Sequence, residues 1–363
     1  MDSRERTFQA LDFEEPDRAP IDLWLSDGFK RRAGLTEAAA LTAFLDAHDV
    51  DLRYIEGPKY IGPRLAAFDD GGDEDVWGVR RRPIEVQVPG GTERYSEVAH
   101  SPLAGATTVS DIEGYARWPS PDWFDYGGIE GQCERVRRQG RVAVFVGDRM
   151  NRIAQLKPAM YLRGMEQVYM DMLAQPELAH AVLGRIRAFC LAYEERILDA
   201  AKGKLDLLLM GDDFGGQTGP LVAPDMWAAF LGEGFKNYIG LAKAHGVRVM
   251  HHTCGSVRLL VPLMIQRGLD VLQSLQPEAA DMEPAGLKAE FGDRLAFHGG
   301  ISIQRTMPFG TPEAIRAEVR DRVEALGPGG GYILGTAHNI QADTSPAKVE
   351  TLLAAYAEFG RYR

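Results

Sequence analysis

The sequence predicts an α/β fold, a (β/α)8 TIM barrel with an inserted β-hairpin near residues 74–103. Two observations carry this. Short apolar, β-branched runs alternate with helical patterns along most of the 363 residues. Counting the runs gives eight strands, each followed by a helix or an insertion. A doubly wound open sheet is the competing answer, but it usually carries a Gly-rich phosphate turn after its first strand, and none follows here. The length allows two domains, yet barrels of about 250 residues or more fold as one unit. Residues 1–363 are therefore read as a single domain.

Residues 3–12 read as a short helix, and 19–25 as the first strand, since Pro20 can open a strand but not sit inside one. Thr36 caps a helix running to about Ala47, and Asp51-Leu-Arg-Tyr-Ile-Glu56 is a second strand ending on a carboxylate. From Asp69 the pattern becomes acidic and Gly-rich, then alternating, with Pro89-Gly-Gly as the turn of an antiparallel hairpin. The βα rhythm is then regular: helix 128–139, strand 142–148, helices 153–174 and 177–201, strand 205–213, helix 224–245. Strand 247–254, helix 257–267, strands 269–276, 295–300 and 332–338, and helix 346–359 complete it.

A net charge of -11 argues against nucleic acid or an anionic membrane as partner and leaves small molecules or another protein. Cys133 and Cys190 fall in helical patterns far along the chain from Cys254 and read as packing residues in a reducing compartment. The charged start has no apolar core of a signal peptide behind it, so a soluble, cytoplasmic protein is expected.

The densest chemistry is Val247-Arg-Val-Met-His-His-Thr-Cys-Gly255, a β-branched run ending in groups that can bind metal. On a strand His252 and Cys254 share one face, with His251 and Thr253 on the other. Imidazole and thiolate together suit zinc. Placing Val247 and Val249 toward the helices turns His252 and Cys254 into the barrel, at the cost of pointing Arg248 into its floor. Active sites of such barrels lie at the carboxyl ends of the strands, which here carry Glu56, Asp148, Asp212, Asp213, Gln276, His298 and His338. A catalytic zinc takes three protein ligands and an open position, so His338 is the expected third ligand, or else a substrate contact. Asp148, Asp212 or Asp213 can substitute or orient, and Asp148, Asp213 and His338 are the candidate acid/base groups. Glu56, Asp212, Gln276 and His298 are the candidate substrate contacts.

Several segments together resemble the uroporphyrinogen decarboxylase superfamily: Gly211-Asp-Asp-Phe-Gly-Gly-Gln217, His252-Thr-Cys-Gly255, Leu275-Gln-Pro277, Phe297-His-Gly-Gly-Ile-Ser-Ile-Gln304, Gly310-Thr-Pro-Glu-Ala-Ile-Arg316 and His338-Asn-Ile-Gln341. The resemblance implies one of two chemistries. Decarboxylases of the superfamily act without metal on a porphyrinogen bearing many carboxylates, whereas its zinc methyltransferases pass methyl groups between a corrinoid and a thiol or methylated substrate. The decarboxylases hold substrate carboxylates with arginines of a first-strand Met-Arg-Gln-Ala-Gly-Arg-Tyr, where this chain reads Ile21-Asp-Leu-Trp-Leu-Ser-Asp-Gly28. The His-x-Cys pair is what the methyltransferases carry.

In two places the chain departs from the pattern. The methyltransferases usually draw a third ligand, a Cys, from the last strand, where Ala337-His338 stands, and Ser302 replaces a common Asp. Expected from the resemblance are a zinc-dependent methyltransferase or demethylase, a corrinoid or thiol acceptor, a corrinoid-protein partner and a homodimer. A metal-free decarboxylase is the alternative, and a barrel that only holds a corrinoid or tetrapyrrole is a third reading.

Overall fold

The structure is a computed structural model describing residues 1–147 and 151–362. Seven parallel strands form one curled sheet in chain order: β1 (Leu52–Tyr54), β2 (Val142–Phe145), β3 (Leu207–Gly211), β4 (Arg248–His252), β5 (Val271–Leu275), β6 (Ala296–Ile301) and β7 (Tyr332–Thr336). Their residues are buried on both faces almost throughout, which is why the runs read as continuously apolar. Inward positions of neighbouring strands form one cluster, with Leu52, Val142, Val144, Leu207, Leu209, Met250, Val271, Ala296 and Ile333 as members, closed from below by Leu11 of the helix Ser3–Leu11. Outward positions such as Val247 and Val249 join the larger cluster beneath the helices. The architecture is TIM-barrel-like.

The expected first strand differs. Residues 20–26 lie between β7 and β1 as isolated bridges, Ile21 with Leu334 and Leu25 with Ile340. Asp22 N–H donates to Leu334 O at 2.9 Å, and Asp51 N–H donates to Ile21 O at 2.9 Å. A regular ladder cannot form because Pro20 has no N–H, Ile21 N–H goes to the Asp51 carboxylate at 2.6 Å, and Leu23 N–H goes to Asp22 Oδ1 at 2.9 Å. A single expected helix over 153–174 is two, Leu156–Arg163 and Met165–Ala174, separated by Gly164 at φ 92°. That over 224–245 is also two, Pro224–Phe230 and Gly232–Ala244. At this second break Gln155 Nε2 takes Leu231 O at 3.1 Å and Arg267 Nε takes Gly232 O at 3.0 Å.

Between β1 and β2 the strands Arg80–Val88 and Gly91–His100 pair antiparallel, with Asp73–Glu74 alongside. Glu93 of this sheet accepts from Ser26 Oγ at 2.7 Å and from Ala342 N–H at 2.7 Å. The hairpin thus fixes the loops after residues 20–26 and after β7, both of which border the strand ends. Among the described residues no helix is long and apolar enough to cross a membrane.

Candidate metal centre

His252 is the last residue of β4, and Cys254 follows two residues on. The chain can turn there because Gly255 has φ +81° and lies against the next loop: a Cβ on it would stand 2.5 Å from the carbonyl oxygens of Gly215 and Gly216. Ser256 N–H donates to Gly216 O at 2.7 Å, and Phe214 N–H to Thr253 Oγ1 at 2.9 Å, so the loops after β3 and β4 are stitched together. Their glycines are steric requirements of that contact. Parity follows the sequence reading: Met250 and His252 face inward, while His251 lies outside, stacked on Phe214 at 5.0 Å and edge-on to Phe235 at 4.9 Å. Arg248, pointed at the barrel floor, pairs with Asp12 and with Asp270 at 3.5 Å.

His252, Cys254 and His338 offer ligand atoms that all lie within 4.8 Å of one another. Cys254 Sγ is 3.5 Å from His252 Nε2. Bonds of 2.0–2.3 Å at tetrahedral angles put ligand atoms about 3.3–3.8 Å apart, so a zinc-sized cation fits with a small contraction. His252 Nδ1 meets Gln273 Oε1 at 2.6 Å; this amide oxygen can only accept, so Nδ1 carries the proton and Nε2 presents its lone pair to the cluster. Nδ1 of His338 lies against Asn339 Oδ1, an amide oxygen that can only accept; with the proton on Nδ1, Nε2 is left as the ligand atom. Burial and the neighbouring His338 hold His252 well below the usual imidazole range, and burial lowers His338 too. Both rings are neutral, as ligands must be. Burial and the Asp213 charge push the Cys254 thiol up to about 12, a proton that a bound cation would displace.

Asp213 Oδ1 lies 3.7 Å from His252 Nε2, and its Oδ2 is 2.6 Å from Lys157 Nζ. Burial opposes ionisation of Asp213, but the charge and hydrogen bond of Lys157 outweigh it and hold the carboxyl below its usual range. Its neighbour Asp212 does a different job. That carboxylate accepts the backbone N–H groups of Gln155 and Lys157, both at 2.7 Å, and Leu156 at 3.1 Å, capping the helix Leu156–Arg163. Three of the acceptor sites of Asp212, expected as a substrate contact, are used by the helix, and burial pushes the carboxyl up to about 6.

Of the other expected residues, Gln276 lines a cavity of about 250 Å³ that also touches Cys254 and His338. His298 is 2% exposed, and its Nε2 is 2.8 Å from Asp22 Oδ2, which also accepts from Tyr54 Oη at 2.5 Å. In this chain inside the barrel the Nε2 of His298, expected as a substrate contact, is engaged by an acid from residues 20–26. Glu56 borders a separate cavity of about 260 Å³ with Asp73 and Glu74, away from the three ligands. Asp148 lies outside the described residues. A third cavity of about 470 Å³ meets Asp213 and Lys157 and is walled by Met160, Tyr161 and Leu221.

Other side chains pack around the ligands. Trp24 stacks on His252 at 5.8 Å and 27° and stands edge-on to His338 at 6.2 Å. Gln273 and Lys157 had no motif to mark them in the sequence, whereas Asp22 lies in the first-strand segment compared with the decarboxylases above. Only the register of β5 beside β4, which pairs Gln273 with His252, points to the first.

Residues 153–359 match the family model described as Uroporphyrinogen decarboxylase (URO-D). This chain belongs to the uroporphyrinogen decarboxylase (URO-D) family. Among URO-D relatives, the uroporphyrinogen decarboxylase of Pseudoalteromonas translucida is 23% identical over 193 residues, 51% of this chain and 50% of that protein. That of Pseudomonas fluorescens is 22% identical over 264 residues, 69% of each. The chain thus spans about half the length of the first of these relatives. A methyltransferase from Methanosarcina mazei superposes with a TM-score of 0.68 at 18% identity, covering 99% of both chains. That likeness establishes a common fold for this URO-D member and the methyltransferase.

Proposed function

We propose that this URO-D family member is a zinc-dependent methyltransferase or demethylase, moving a methyl group from a small methylated substrate to a corrinoid or thiol acceptor. The observation that carries the reading is the convergence of His252, Cys254 and His338 within 4.8 Å, with Gln273 fixing the His252 tautomer. Zinc held there supplies Lewis acidity toward the substrate heteroatom or an acceptor thiol. With one thiolate and two imidazoles, the donor set favours an oxygen or nitrogen atom over a second thiolate.

In the transfer the bond from the heteroatom to the methyl carbon breaks, the heteroatom keeps the electron pair and takes a proton, and the acceptor donates a pair to the methyl carbon. Asp213, kept ionised by Lys157 at 2.6 Å, orients the cluster through its approach to His252, and the Lys157–Asp213 pair is the acid/base couple beside it. Trp24, lying over both imidazoles, excludes water from that side.

The names of the sequence relatives favour a second reading, metal-free decarboxylation. Carboxylate-rich substrates need several cationic donors, and here Asp22 occupies the first-strand position and Lys157 is paired with Asp213, with Arg152 beside the cluster against Gly211. Metal analysis of protein purified without added metal, with assays for methyl transfer and for carbon dioxide release, separates the two. Stoichiometric zinc and acceptor-dependent demethylation are expected. Carbon dioxide release without an acceptor, unaffected by chelator, would overturn the proposal.

A further inference from the structure

The cavity of about 250 Å³ beside Cys254 and His338 has an uneven chemistry. Four amide side chains line it, Gln217, Gln276, Gln304 and Gln341, and Glu278 is its one charged residue; neither Lys nor Arg is among the lining residues. Gln276 is held in one orientation, since its Oε1 accepts Gly255 N–H at 3.0 Å and its Nε2 donates to Gln217 Oε1 at 3.2 Å. Glu278 Oε1 accepts the Ser302 hydroxyl, and Glu278 Oε2 is buried with no hydrogen-bond partner among the described residues. Behind it, Ser302 N–H donates to Glu318 Oε1 at 3.2 Å, which also meets Arg322 at 3.2 Å. Two carboxylates therefore converge on Ser302 and one guanidinium answers them. The wall carries an uncompensated negative charge, which repels anions and lowers the energy of a cation placed in the cavity. The volume falls below the 300–1,000 Å³ usual for drug-sized ligands, which restricts the occupant to a small molecule.

Resting on the methyl-transfer reading above, we propose that the substrate is a small methyl ether that carries an amino group and binds as its cation in this cavity. Glu278 is the residue that selects its charge, and the glutamine amides take its remaining polar atoms. Ser302, which stands where the resemblance leads one to expect an Asp, holds the Glu278 carboxylate in place as a hydroxyl donor. An Asp there would set a third carboxylate against Glu278 and Glu318.

The test uses three methyl ethers of matched size, 2-methoxyethylamine, 2-methoxyethanol and methoxyacetate, titrated calorimetrically into the full-length zinc-loaded protein. The amine is expected to bind about tenfold or more tighter than the alcohol, with the acid weakest. E278Q, which keeps an acceptor for Ser302, is expected to bring the amine to the level of the alcohol and leave the alcohol unchanged. Methoxyacetate binding as tightly as the amine, or E278Q leaving the amine unaffected, would overturn the proposal. Should E278Q melt early, the wild-type series decides alone. Binding is read without turnover, so an amine that binds but is never demethylated sinks the catalytic reading and leaves the cavity's selectivity standing.

Discussion

Two adjacent layers inside the barrel use the same four strands and differ in almost everything else. In the lower one Leu209, Met250, Val271 and Ala296 are register partners across β3 to β6; one inward step higher the partners are Gly211, His252, Gln273 and His298. The change from hydrocarbon to imidazole and amide happens within a single pleat repeat of about 6.8 Å. The lower layer closes the barrel by dispersion and burial, while the upper is held by hydrogen bonds that fix which nitrogen points where. Gly211 belongs to the same logic: a Cβ there would stand 2.6 Å from the Arg152 side chain, so the absence of a side chain on β3 makes room for a cation beside the cluster. Stability and chemistry are separated by height, which makes the separation testable.

Breaking the upper layer at its ligands should have the largest effect on function. His252→Ala and Cys254→Ser are each expected to remove stoichiometric zinc and to lower methyl transfer by more than the roughly 100-fold that loss of an outer partner can cost. Elemental analysis and acceptor-dependent turnover read this out, and full zinc occupancy in either variant would contradict the assignment. Breaking the lower layer should do the reverse. Met250→Ala, at a position 0% exposed, is expected to cost about 2–5 kcal/mol in denaturant unfolding while zinc stoichiometry stays at one. A loss of metal without a loss of stability would show that the layers are not separable.

Gln273→Leu sharpens the boundary between them. It removes the Oε1 that holds His252 Nδ1 at 2.6 Å, and with it a buried Nε2 that has no partner among the described residues. Zinc affinity is expected to fall roughly 10–100-fold with no loss of thermal stability. Unchanged affinity in a competition titration would assign Gln273 to packing alone.

The boundary between layers was partly legible beforehand, and the reasons are local. Residues 247–254 announce themselves because a period of two puts valines on one side and His252 with Cys254 on the other, a pattern that needs no partner to read. The first strand was legible as extended chain but not as bridges, because the Ile21 N–H is taken by Asp51, 30 residues on, and the Leu23 N–H by Asp22. Helix 153–174 looked continuous since Gly164 costs a helix only about 1 kcal/mol in sequence terms, whereas the structure uses its positive φ. Asp212 and Asp213, adjacent and identical in type, could not be told apart: which one caps a helix and which one faces the cluster depends on where residues 155–157 arrive. Trp24, Gln273 and the Tyr54–Asp22–His298 chain are products of long-range register, and a single sequence carries no period for that.

The last effect touches stability alone and comes from a buried acid in the helical layer. Glu194, on the helix Pro176–Ala201, is 1% exposed, and neither carboxylate oxygen has a partner among the described residues. Burial holds its carboxyl well above the ordinary 4.5, so the folded protein keeps a proton there that the unfolded chain releases. The unfolded state then binds fewer protons over the interval between the two values, and stability falls as pH rises through it, by up to about 1.4 kcal/mol per pH unit. Glu194→Gln keeps the shape without the titration. Its unfolding free energy should exceed that of the wild type at pH 8 and converge on it near pH 4. Parallel curves for the two proteins across that range would mean that Glu194 is solvated or paired in solution.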